Sequence, residues 1–241
     1  MRRAFLRARP ERYGTPLAMR KLIAPLLIVA APLAAGPALA DEVVIAALGD
    51  SLTAGYGLPQ GEGLVPQLQG WLDAQGAEVR LINAGVSGDT SAGGLSRTDW
   101  TLTPEVDAMI VALGGNDFLR GLDPETMREN IDGILGKAEA AGVETLLVGL
   151  KAGPNYGPDY AEAFDAAYAD LAEAHDVPLY PDIFAALQEG RDVETARRDY
   201  LQSDGLHPNA RGVALIVAEL GSHVLDLAKR ASGEEARAEA R

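Results

Sequence analysis

Apolar residues along this 241-residue chain follow two rhythms. Short unbroken runs, Val43 to Leu48, Val79 to Ile82, Ala108 to Leu113, Thr145 to Leu150 and Val177 to Tyr180, have the length and character of strands buried on both faces. Between them, apolar positions recur at helical spacing over Leu64 to Ala74, Pro124 to Ala141, Tyr160 to His175 and Pro208 to Ala228. Two of these helices carry start signals: Asp123 as N-cap ahead of Pro124, and Asp159 ahead of Tyr160. Five buried strands alternating with helices predict an α/β fold, with a five-stranded parallel sheet covered on both faces. One domain over residues 41–228 accommodates all of it. The last stretch, residues 229–241, has no apolar period and reads as a frayed or disordered tail.

The N-terminal apolar run belongs to neither rhythm. Met19-Arg20-Lys21 precedes Leu22 to Leu33, and Ala38-Leu39-Ala40 follows just before Asp41. A basic start, an apolar centre and an A-x-A site make a secretory signal peptide cut after Ala40, so the mature protein is expected to be periplasmic or secreted. A membrane anchor fits less well, because Pro25, Pro32 and Pro37 interrupt a run short of the roughly 20 apolar residues a span requires. Residues 1–18 then read as an extended n-region or an upstream choice of start codon. Removing residues 1–40 leaves 14 basic against 34 acidic residues, which argues against a nucleic-acid partner. Cysteine is absent, which excludes disulfides, thiolate metal sites and a cysteine nucleophile.

Ligands of open parallel sheets bind beyond the carboxyl ends of the strands. Three polar, glycine-rich stretches follow predicted strands: GDSLTAGYG (49–57), NAGVSGDTS (83–91) and GGNDFLRG (114–121). A fourth, SDGLHPNARG (203–212), opens the last helix. Together they supply what acyl transfer needs, namely a nucleophile, a base, a carboxylate to orient the base, and donors for the oxyanion. Ser51 is a hydroxyl on a Gly-flanked turn, and Asp50 caps or orients that turn. Asp204 lies three residues before His207, a spacing that closes a turn with the carboxylate on Nδ1 and leaves Nε2 free to face Ser51. The backbone N–H groups of Ser51 and Gly88 and the side-chain amide of Asn116 are natural oxyanion donors. Each piece alone is equally an ordinary turn or helix cap. The four together, in the order one site needs, point to chemistry.

These four blocks resemble the SGNH (GDSL-type) hydrolase family, and within it the periplasmic arylesterase, thioesterase I and lysophospholipase L1 group. The resemblance runs from about Val43 to Leu227 and implies a flavodoxin-like three-layer α/β/α fold. It implies Ser51 as nucleophile, Asp204 and His207 completing the triad, and Ser51, Gly88 and Asn116 as oxyanion donors. The segment KAGPNYGPDYAEAF (151–164) is similar to the substrate-covering loop of that group, which makes Asn155 and Tyr156 candidate substrate contacts. Relatives usually carry Pro where this chain has Gly153, and Gly loosens the loop. For most of its residues the segment is equally a plain lead into the next helix.

The expected activity is a serine esterase, acting on carboxylic or thioesters in the manner of an arylesterase, acyl-CoA thioesterase or lysophospholipase. A carbohydrate deacetylase of the same family would use the same residues. A nucleotide-binding domain is opposed by the lack of G-x-x-x-x-G-K-[ST] and of G-x-G-x-x-G after the first strand. An α/β-hydrolase would need a G-x-S-x-G elbow, and a non-catalytic envelope binding protein has no need of intact Ser51, Asp204 and His207. His175 and His223 have no acid at useful sequence spacing, Trp71 reads as core, and nothing clusters as a metal site. No cofactor is expected. The expected partner is a small-molecule ester or thioester, with room for transient contact with lipid substrates and no obligate protein partner.

Overall fold

The computed structural model describes residues 42–233, so the predicted signal peptide and residues 234–241 of the tail lie outside the described residues. Five parallel strands, β1 (Val43–Gly49), β2 (Val79–Gly85), β3 (Ala108–Ala112), β4 (Glu144–Val148) and β5 (Leu179–Tyr180), form one sheet in the order β2-β1-β3-β4-β5. The central strand β1 is buried along its whole length, which is why its sequence is apolar without alternation.

Alternate residues of each strand feed opposite layers. Val43 and Ile45 of β1, Ala108 and Ile110 of β3, and Leu146 and Val148 of β4 pack with α2 (Leu64–Ala74) and a long C-terminal helix, Ala210–Ala231. Leu48, Met109, Val111 and Leu147 face the other layer, where α5 (Pro124–Ala140) supplies Met127, Ile131 and Ile134 and α6 (Pro158–Ala174) supplies Phe164 and Tyr168. Between α2 and α5 in the chain lie α3 (Ser91–Thr101) and the short α4 (Gly115–Leu119), and α1 (Ser51–Ala54) directly follows β1. After β5 come α7 (Ala185–Gln188) and α8 (Val193–Tyr200), and the C-terminal helix is α9. Trp71 of α2 packs over Gly221 of α9, where a side chain in place of the glycine would collide with the indole.

The predicted elements are present, with displaced ends. β4 stops at Val148 rather than Leu150, and β5 begins at Leu179 rather than Val177. Asp159 is not the cap of α6. That helix starts at Pro158, whose fixed φ and missing N–H suit the first helical position, behind Gly157 at φ 90°. Pro208 likewise precedes α9. Asn209 caps that helix, accepting the N–H groups of Arg211 and Gly212 at 3.0 Å, while Pro208 pairs with Leu201 in an isolated bridge. α9 runs to Ala231, three residues into the predicted tail, with Leu227 and Ala228 still buried. Among the described residues no helix is long and apolar enough to cross a membrane.

With this strand order the chain leaves β1 for β2 at one edge and builds β3, β4 and β5 on the other side. The crevice between the loops after β1 and β3 is the switch point where open α/β sheets take ligands.

Candidate active site

Ser51 opens α1 directly beyond β1. Asp50 is the N-cap, its Oδ1 accepting the Leu52 N–H at 3.0 Å, and Gly55 closes the four-residue helix in the left-handed region at φ 79°. The turn fits because Gly49 has no Cβ. One there would strike Thr53 and the Ala112 carbonyl of the neighbouring strand. Gly85, at the end of β2, similarly leaves room for the Thr53–Ala54 backbone of α1.

The loop before α9 brings His207 to this turn. Gln202 N–H donates to the His207 carbonyl at 2.7 Å, and Gly205 turns the chain at φ 67°. Inside that turn Asp204 Oδ1 accepts the N–H groups of Leu206 at 2.9 Å and His207 at 3.0 Å. Its Oδ2 accepts Nδ1–H of His207 at 2.7 Å, and Nε2 of the same ring accepts the Ser51 hydroxyl at 2.8 Å. The His207 hydrogen bond, helped by the two backbone N–H groups, lowers the Asp204 carboxyl to about 2. The Tyr56 ring lies against the imidazole, with centroids 4.8 Å apart.

Across the crevice, Gly114 adopts φ 114° and starts α4, a conformation and a space that no side chain could share with the Tyr168 hydroxyl. Asn116 then directs its amide at Asp50, with Nδ2 donating to Oδ2 at 3.1 Å. A carboxylate only accepts, so this contact fixes which end of the amide is NH₂. Asp50 itself is 4% exposed, and burial raises its carboxyl above the ordinary aspartate range despite the hydrogen bonds from Leu52 and Asn116. Asp117, also buried, accepts the Ser91 N–H at 2.8 Å and the Ser91 hydroxyl at 2.6 Å. Gly88, on the loop after β2, has φ 86°, and its carbonyl accepts from Arg120 at 2.6 Å.

These elements surround a cleft above the ends of β1, β3 and β4. Its walls are mostly apolar, with Leu52, Phe118, Leu119, Leu150, Ile183 and Phe184 prominent, and Ser51, His207 and Asn116 open into it. Lys151 stands at the rim. Asn155 lines a neighbouring groove that shares Lys151, Phe184 and Leu206 with this cleft, and Tyr156 packs edge-on against Phe118 and over Gly121. Neither side chain lines the cleft at Ser51.

The other histidines lie elsewhere. His175 has an acid partner that sequence spacing does not announce: Asp132 of α5, 43 residues away in the chain, reaches Nε2 at 2.9 Å. His223 packs against the Tyr180 ring. Among the described residues no group of three or more His, Cys, Asp or Glu side chains could hold a metal. The contacts the sequence does not announce are those between turns, Asp50 to Asn116, Arg120 to Gly88 and Ser91 to Asp117.

Residues 47–215 match the model of the GDSL-like Lipase/Acylhydrolase family. Esterase TesA of Pseudomonas aeruginosa is 40% identical over 162 residues, covering 67% of this chain and 77% of the relative. The Escherichia coli K12 thioesterase 1/protease 1/lysophospholipase L1 is 37% identical over 173 residues, covering 71% and 77%. Among solved structures, the psychrotrophic esterase EstA from Pseudoalteromonas sp., inhibited by monoethylphosphonate, superposes with a TM-score of 0.68 at 36% identity, covering 75% of this chain and 96% of that one.

Proposed function

The chain belongs to the GDSL-like lipase/acylhydrolase family and is a hydrolase of ester bonds, and from that premise we propose that it works as a serine esterase through an acyl-enzyme on Ser51. The observation that carries the reading is the unbroken relay from Ser51 Oγ to His207 Nε2 at 2.8 Å and from Nδ1 to Asp204 at 2.7 Å. Ser51 attacks the ester carbonyl while His207 takes its proton, and Asp204 holds the ring in the tautomer that leaves Nε2 basic. The oxyanion is met by the N–H groups of Ser51 and Gly88 and by the second N–H of the Asn116 amide, whose first is engaged by Asp50. His207 then protonates the departing oxygen or sulfur. Water, activated by the same ring, releases the acid.

The apolar walls around Ser51 favour substrates with an apolar acyl group, carboxylic esters and thioesters alike, over an acetylated sugar. Asn155 and Tyr156 act from the covering loop, Tyr156 by bracing Phe118 of the cleft wall and Asn155 from the adjoining groove. The basic start, apolar centre and Ala-Leu-Ala site of residues 19–40 support export of the mature enzyme to the periplasm or beyond. There it meets soluble esters and, transiently, lipid substrates.

The test is hydrolysis of p-nitrophenyl esters and acyl-CoAs of graded chain length by the wild type and Ser51→Ala, with mass analysis after a fluorophosphonate. Wild-type turnover lost in Ser51→Ala, and a single adduct on Ser51, are expected. Equal rates in the two proteins, or an adduct on another residue, would overturn the assignment.

A further inference from the structure

Arg97 does not line the cleft at Ser51, yet its guanidinium ties together two of the turns that build it. It projects from α3, and its side chain is 20% exposed. Nε donates to Asp89 Oδ2 at 2.6 Å, Nη1 to the Ala84 carbonyl at 2.6 Å and Nη2 to the Gly49 carbonyl at 2.8 Å. Ala84 and Asp89 flank the loop that carries Gly88. Gly49 is the last residue of β1, two before Ser51. One planar fork therefore bridges the strand end that presents Ser51 and both sides of the loop that presents Gly88, and its rigid plane allows little change in their spacing.

The fork is itself anchored. α3 begins at Ser91, held through its N–H and hydroxyl by Asp117, the residue after Asn116. Asn130 of α5 adds a bond to the Ser91 hydroxyl at 3.0 Å. The Asp89 carboxylate lies in space that is open because residue 93 is glycine. So α3 refers the Asn116 segment, the Gly88 loop and the Ser51 turn to one another.

We propose that Arg97 is a positioning residue of the hydrolytic site, setting the distance between the Ser51 and Gly88 N–H groups that receive the oxyanion. The inference rests on reading those groups as donors. Lysine cannot replace the fork, because a single ammonium cannot hold two carbonyls and a carboxylate in one plane. A displacement of about 1 Å in a reacting arrangement costs up to about 100-fold in rate.

The test compares wild type, Arg97→Lys, Arg97→Ala, Asp89→Asn and Asn116→Ala in p-nitrophenyl butyrate hydrolysis, in the rate of inactivation by diisopropyl fluorophosphate, and in thermal unfolding. Active enzyme is counted by end-point titration. Arg97→Lys is expected to lower kcat per titrated site by about 10- to 100-fold with KM changed less than about 3-fold, and to slow phosphorylation by diisopropyl fluorophosphate in proportion. Adding ethylguanidinium to Arg97→Ala is expected to restore part of kcat without raising the unfolding temperature. Asn116→Ala reports on the donor reading itself, with an expected loss of about 100- to 1,000-fold. If Asn116→Ala keeps wild-type kcat, the oxyanion reading fails whatever Arg97 does. If Asn116→Ala is impaired while Arg97→Lys stays within about twofold of wild type per titrated site, the Arg97 inference is overturned. Should Arg97→Lys not fold, Asp89→Asn decides alone: a kcat loss above about fivefold supports the inference, and one below about twofold overturns it.

Discussion

Replacing Asp50 by asparagine separates catalysis from stability in a way that follows from two hydrogen bonds. Asp50 Oδ1 accepts the Leu52 N–H at 3.0 Å and Oδ2 accepts the Asn116 amide at 3.1 Å. An asparagine offers one acceptor. If its oxygen keeps the helix cap, its NH₂ faces the NH₂ of Asn116, and that clash is relieved by turning the Asn116 amide over. The turned amide then accepts from residue 50 and shows the cleft a carbonyl oxygen where the proposed mechanism needs an oxyanion donor. Removing one such donor costs about 10²- to 10³-fold in kcat, or about 2.7–4 kcal/mol.

Stability moves differently. The carboxyl of Asp50 is raised chiefly by burial, so the folded state holds the proton more tightly than the unfolded chain. The ionised group therefore opposes folding at neutral pH, and that penalty is relieved as pH falls through its raised value. Asparagine removes the penalty while keeping the cap, so the unfolding temperature should hold or rise at pH 7 as kcat collapses. Steady-state hydrolysis of p-nitrophenyl butyrate beside thermal unfolding at pH 5 and 7 checks both. A variant with kcat within about threefold of wild type would refute the amide argument. A fall of more than about 6 °C in unfolding temperature, roughly 2 kcal/mol or more for a domain of this size, would refute the burial argument.

Two further outcomes are expected. Asp204 is held at about 2 by His207, so its contribution to stability is present above the ordinary aspartate range and is lost as pH falls toward 2. The difference in unfolding temperature between wild type and Asp204→Asn should accordingly be seen at pH 6 and close by about pH 2, and a difference independent of pH would contradict this. Gly85→Ala should destabilise by about 1–3 kcal/mol or more, since the new Cβ meets the backbone of Thr53 and Ala54 rather than a movable side chain. It should also impair hydrolysis by displacing α1, and unchanged melting and kcat would show that the turn can yield.

What the sequence discloses of the fold depends on whether an element is held by apolar burial. β1, β3 and β4 lie inside the sheet, and their unbroken apolar runs announce them. α2 has a clear apolar face and is readable to its last residue. α3 is not readable, because Ser-Ala-Gly-Gly-Leu-Ser-Arg-Thr-Asp-Trp-Thr has little apolar contrast and buries Ser91, Gly94 and Thr98. Asp117 and Arg97 hold it instead, through partners the sequence does not pair. α8 is hidden for a related reason, with only Ala196 buried on a charged helix. The site divides in the same manner. Asp204 and His207 are three residues apart and meet through a local turn, so their pairing can be read from spacing. Asp50 and Asn116 are 66 residues apart, and Gly49 and Arg97 are 48 apart. Such contacts exist only once the strand order is fixed.

The two aspartates beside Ser51 also show why chemistry-bearing residue types alone do not assign roles. Asp204 sits partly in solvent and accepts two backbone N–H groups and the imidazole. Its charge is thereby stabilised, and it remains an acceptor down to about pH 2. Asp50 is closer to the nucleophile in sequence, but it is buried, with a raised carboxyl, and spends its two oxygens on Leu52 and Asn116. A carboxyl in that environment is the weaker partner for a developing imidazolium, which calls for a stable negative charge. The same residue type thus divides its work by surroundings. In the proposed mechanism the solvated carboxylate orients the base, and the buried one orients the amide offered to the oxyanion.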